Sequence, residues 1–91
     1  MADISIVQAH SLTPERAREA AQQVADKIAR EYGLACNWDG DVLRFERSGV
    51  TGALTLGAQQ AEMEINLGFL MGAFAPSIRA KVAEKMQKVF G

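Results

Sequence analysis

From Leu34 onward the hydrophobic pattern of this chain repeats every two residues, and a period of two is the signature of pleated strands. Cys36 and Trp38 alternate with Ala35 and Asn37, and the turn Asp39-Gly40 leads into Val42 to Arg47. Asp-Gly between alternating segments is a hairpin signal. Ser48-Gly49 and Gly52 loosen the next connection, Thr51 to Leu56 makes another strand, Gly57 to Gln60 a turn, and Ala61 to Gly68 the last strand. A further short strand, Asp3 to Ala9, opens the chain. Ile4, Ile6, Leu43, Phe45, Leu54, Leu56, Met63, Ile65 and Leu67 can share one face, while Ser5, Arg44, Glu46, Thr55, Glu62, Glu64 and Asn66 share the other. One dry face and one wet face describe an open antiparallel sheet.

Two segments depart from that period. Thr13 can cap a helix, Pro14 suits its first turn, and Glu15 complements its dipole. The helix runs to about Tyr32 and stops at Gly33, with Ala17, Ala20, Ala21, Val24, Ile28 and Tyr32 as its apolar stripe. So much alanine lets the helix lie close against a sheet. A second helix begins at Pro76, with Ile78, Val82, Met86 and Val89 as its stripe. The expectation is an α+β fold over residues 1–91 as one domain. It has an open antiparallel sheet of four to five strands, in strand-helix-strands-helix order, with two helices packed on one face.

Ile65 to Ile78 form a run of fourteen positions without a charge. The run is too short and too interrupted to cross a bilayer, which takes about 20 apolar residues. Its apolar mass must therefore lie in the core, in a partner, or against some hydrophobic surface. Leu67, Phe69, Leu70, Met71 and Phe74 are the candidate interaction surface. The surplus over what a small core needs predicts a homodimer that covers it.

Charge and chemistry exclude several function classes. Ten basic and eleven acidic residues leave a net charge of −1, so no long-range field attracts nucleic acid. One cysteine and one histidine fall short of a structural zinc site, no glycine-rich phosphate cradle follows a strand, and no cofactor is expected. The start, MADISIVQAH, lacks the basic and apolar regions of a signal peptide, and the expected location is cytoplasmic. His10 could act as a general base, but spacing fixes no nucleophile or acidic orienter beside it. Cys36 alternates in phase with Trp38, which reads as a buried small residue rather than a nucleophile. An enzyme built on both would need them close together. Arg44, Glu46, Glu62 and Glu64 could cluster on the wet face, where cross-strand ion pairs serve pairing and solubility.

Several words of the chain occur together in one known family. They are Ile4-Ser5-Ile6 with Ala9-His10-Ser11-Leu12, then Tyr32-Gly33-Leu34, Trp38-Asp39-Gly40-Asp41, Leu43-Arg44-Phe45, Arg47-Ser48-Gly49-Val50 and Leu67-Gly68-Phe69-Leu70. In these the chain resembles, over nearly its whole length, the polyhydroxyalkanoic acid system proteins. These are small bacterial proteins whose genes lie near those for polyester storage-granule metabolism. The resemblance implies an accessory role in granule formation or regulation and brings no catalytic residues with it. The expected function is a non-enzymatic accessory protein of polyhydroxyalkanoate metabolism. It would act by self-association and by contact with the granule surface or granule-associated proteins, without a transmembrane segment. The alternative is a binder of acyl or hydroxyacyl groups, with a cavity between the sheet and the C-terminal helix.

Overall fold

A computed structural model describes residues 3–91, apart from the side chains of residues 69–71. The chain runs through β1 (Ile4–Ala9), α1 (Pro14–Tyr32), β2 (Ala35–Asp39), β3 (Val42–Arg47), β4 (Val50–Leu56) and β5 (Gln60–Leu67). A short 3-10 segment, Phe69–Phe74, then leads into α2 (Ala75–Phe90). The five strands form one antiparallel sheet in the order β1-β5-β4-β3-β2. Both helices lie on one face of it. The α+β architecture expected from the periodicity is the one observed, with boundaries displaced by a residue or so.

Local signals account for the ends of α1. The Thr13 side chain accepts from the Arg16 N–H at 3.3 Å, and Pro14 occupies the first turn. At the other end Gly33 takes φ 68, a left-handed conformation that favours glycine, and its N–H bonds to the Ala29 carbonyl at 2.8 Å. The buried face of α1 is Ala17, Ala20, Ala21, Val24, Ala25 and Ile28. Four alanines in six allow the helix backbone to approach β2, β3 and β4 closely. The helix carries the chain from β1 at one edge of the sheet to β2 at the other.

Cross-strand register organises the core. Ile4, Ile65, Gly52, Phe45 and Cys36 form one row across the helix-covered face. Ile6, Met63, Leu54, Leu43 and Trp38 form the next. Leu54 and Met63 are completely buried. Against them α2 sets Ile78, Val82, Met86 and Phe90. The fourth buried position of α2 is thus Phe90, whereas Val89 of the predicted stripe is half-buried.

Gly52 corrects another expectation. It does not loosen a connection: it lies inside β4, directly between Phe45 and Ile65. A Cβ built there would stand 2.9 Å from the Glu64 carbonyl oxygen, 3.3 Å from Phe45 Cδ2 and 3.4 Å from Ile65 Cγ1. The missing side chain is the room that the Phe45 ring uses. Since the nearest obstacle is backbone, it cannot swing aside as a flexible side chain would. Gly52→Ala is therefore expected to destabilise the fold by about 1–3 kcal/mol, as overpacked cores do. A urea midpoint equal to or above that of the parent would show that the row has slack.

Candidate functional site

The chain's distinctive words gather at the two ends of the sheet. At one end β5 runs out into the uncharged segment. The Gly68 N–H donates to the Gly49 carbonyl, and a Cβ on Gly68 would lie 2.9 Å from that oxygen. The Leu67 N–H donates to Asp3 Oδ2 at 2.7 Å, and the Leu67 side chain is half-buried against the core. Arg47, at the end of β3, donates from its guanidinium to the carbonyl of Tyr32. That carbonyl belongs to the last turn of α1, where carbonyls lack helical partners and attract positive charge. The Arg47-Ser48-Gly49 turn thus ties a helix end and the exit of β5 together. Of the five residues predicted as an interaction surface, Phe74 is 54% exposed and Leu67 is not freely exposed. The side chains of Phe69, Leu70 and Met71 lie outside the described residues.

His10 stands at the opposite end. It is 8% exposed, with its ring centroid 5.6 Å from that of Phe90. Nδ1 accepts from the Leu12 N–H at 3.1 Å, and Nε2 lies 3.1 Å from the Gly57 carbonyl oxygen. An acceptor Nδ1 must be unprotonated, so the neutral ring carries its proton on Nε2 and donates it to Gly57. Both nitrogens are engaged in joining the β1–α1 and β4–β5 connections. Beside the ring, Leu12, Pro14, Ala17, Asp41, Leu56, Gly57 and Ala58 complete a cleft of about 230 Å³. Ligand pockets more often hold about 300–1,000 Å³. The space between the sheet and α2, where an acyl cavity was expected, is occupied by Ile4, Ile6, Met63, Ile78, Val82 and Met86.

Cys36 and His10 do not meet. Cys36 lies on β2 and His10 just beyond β1, at opposite edges of the sheet. Four interstrand steps of about 4.8 Å separate those strands by roughly 19 Å. The Cys36 Sγ contacts the Ala25 carbonyl at 3.9 Å, and burial, followed by the nearby Asp26 charge, pushes its thiol above the ordinary value. A raised pKa means less thiolate at neutral pH, opposite to what activates a cysteine nucleophile. The predicted clustering of Arg44 with Glu62 and Glu64 is not observed either, because β4 lies between β3 and β5. Arg44 Nε instead faces Asp39 Oδ2 at 3.7 Å.

The hairpin between β2 and β3 is lashed to α1. Trp38 Nε1 donates to Gln22 Oε1 at 2.9 Å, Arg18 lies 4.0 Å above the indole ring, and Arg18 also donates to the Gly40 carbonyl at 3.1 Å. Among the described residues no group of three or more His, Cys, Asp or Glu could hold a metal ion. No helix among them is long and apolar enough to cross a membrane.

The family described as Putative polyhydroxyalkanoic acid system protein matches residues 4–90, from the first strand to the end of α2. The chain belongs to that family. No curated protein and no solved structure matches it. For this polyhydroxyalkanoic acid system protein the geometry gives the family-like words structural work. His10 and Leu12 of Ala9-His10-Ser11-Leu12 and Asp41 of Trp38-Asp39-Gly40-Asp41 line the His10 cleft. Tyr32-Gly33-Leu34, Arg47-Ser48-Gly49-Val50 and Leu67-Gly68 come together at the other end.

Two measurements probe these assignments. His10→Ala strands the Leu12 N–H and the Gly57 carbonyl, and stability is expected to fall by about 1–3 kcal/mol. An unchanged urea midpoint would mean that water replaces the ring at no net loss. The rate at which Ellman's reagent labels Cys36 in the folded protein should rise with pH, with a midpoint above that of a free cysteine. A midpoint below it would contradict the partial burial of the thiol.

Proposed function

We propose that this chain is a non-enzymatic accessory protein of polyhydroxyalkanoate metabolism. It self-associates, and it contacts the storage granule or its proteins through the Leu67–Phe74 end of the sheet. Family membership supplies the metabolic setting. The observation that carries the contact is Phe74. It is a large aromatic, 54% exposed, at the junction of the 3-10 segment and α2, inside a run of fourteen uncharged residues. Granule polyester is apolar, and the run itself brings no charge that would have to be desolvated against it. Covering about 100 Å² of a half-exposed phenylalanine is worth about 2–3 kcal/mol at ~25 cal/mol per Å². That is enough to change partitioning by more than about tenfold.

The reading is tested by adsorption to purified polyester granules. Phe74→Asp should lower the bound fraction by about tenfold or more, since it replaces apolar area with a charge that resists desolvation. Gln23→Glu makes the same change of charge on the exposed side of α1 and should leave adsorption unaltered. Circular dichroism would check that both variants are folded. If folded Phe74→Asp adsorbs as the parent does, direct apolar contact is wrong.

A further inference from the structure

The near-zero net charge conceals a division across the molecule. The α1 helix carries four acidic and four basic residues. The α2 helix carries Arg79, Lys81, Lys85 and Lys88 against Glu84. The open face of the sheet carries the reverse: Asp39, Glu46, Glu62 and Glu64 against Arg44. The excess is three positive on one helix and three negative on the uncovered face, on opposite sides of the sheet.

On the helix side the positive charge is gathered. Lys27, Glu31, Lys81, Glu84, Lys85 and Lys88 line a groove of about 220 Å³ between α1 and α2, and every lining residue is charged. Glu31 faces Lys27 at 3.4 Å and Lys81 at 3.8 Å. Among the described residues neither Lys85 nor Lys88 is paired with a carboxylate. On the sheet side Glu62 and Glu64 stand two residues apart on the same face of β5, a step of about 6.8 Å. One turn of helix is about 5.4 Å, so lysines on successive turns of α2 can reach successive glutamates on a strand.

We propose that the lysine groove between α1 and α2 of one copy receives the acidic open sheet face of a second copy, so that the chain associates head to tail. The proposal rests on the self-association in the reading above and is independent of the granule contact, since Phe74 belongs to neither surface. Face-to-face pairing of two open sheets would bring like charges together. A head-to-tail contact pairs opposite charges and leaves one of each surface free, so association continues beyond a dimer unless a ring closes. The open face spans five strands about 4.8 Å apart and about 20 Å long, roughly 500 Å². Stable complexes bury about 800 Å² per partner. The association is therefore weak and governed by salt.

Sedimentation velocity over a range of protein concentrations tests this directly. At about 0.01 M salt, where the screening length is about 30 Å, the parent's sedimentation coefficient should climb with concentration. At about 1 M salt, with a screening length of about 3 Å, it should not. Glu62→Lys with Glu64→Lys, and separately Lys85→Glu with Lys88→Glu, should each weaken low-salt association by about tenfold or more. An equimolar mixture of the two variants restores opposite charge at every contact and should associate again. A parent that stays monomeric at low salt overturns the proposal. So does association that persists at high salt, which would place the contact on apolar surface or on the β1 edge. Binding of pyrophosphate in the groove without any self-association would assign it to a small polyanion instead. Granule adsorption measured on the same two variants keeps the two readings separate.

Discussion

How closely α1 can approach the sheet decides most of the remaining structure. The helix must pass over three strands to bring the chain from β1 to the far edge, and a bulkier stripe would hold it too high. Ala17, Ala20, Ala21 and Ala25 remove that bulk. The close approach is what brings Gln22 and Arg18 within reach of Trp38 and Gly40, and Tyr32 within reach of Arg47. On the same dry face the Phe45 ring is accommodated over Gly52. Backbone proximity in one place and a missing side chain in another each answer a shortage of space.

Much of this was legible in the residues. A period of two, a period near four, Thr13-Pro14, Gly33 and Asp39-Gly40 each act within a few positions, and those signals placed the elements and the dry face. What failed to show has in each case a partner distant in sequence. Gly52 reads as a breaker in isolation and becomes a core position only beside Phe45 and Ile65. The Arg44 and Glu62 side chains share a face but not a neighbourhood, because strand order inserts β4 between them. Phe90 packs on His10, eighty residues earlier. The uncharged run has no clear period, and its 3-10 segment left no pattern to read.

The histidine and arginine that stood out in the sequence also find their explanation in distant partners. His10 bridges two connections with both ring nitrogens, and Arg47 satisfies a helix carbonyl. Each performs a task that glycine turns and alternating strands cannot perform for themselves, namely holding the loops at the ends of the sheet. Buried polar side chains of this kind specify geometry, because each leaves an unsatisfied backbone group if displaced. Their presence in family-like words is accounted for by architecture. Among the described residues, Phe74 and the two charged faces are surfaces without such internal employment.

The strand order also sets a timetable for synthesis. β2 to β5 are joined by short turns and can pair in sequence as the chain lengthens, but Ile4 finds its partner at Ile65. At about 5–20 residues per second, the first strand waits several seconds for the last to be made. During that interval Ile4 and Ile6 have no sheet to rest on, and α2, which covers them, is made later still. β1 is thus the first of these elements to be made and among the last to become native. Until then its six residues, ISIVQA, carry no charge to keep them in solution. A chain released before α2 is complete would present that segment uncovered, which makes early termination a hazard for solubility as well as for function.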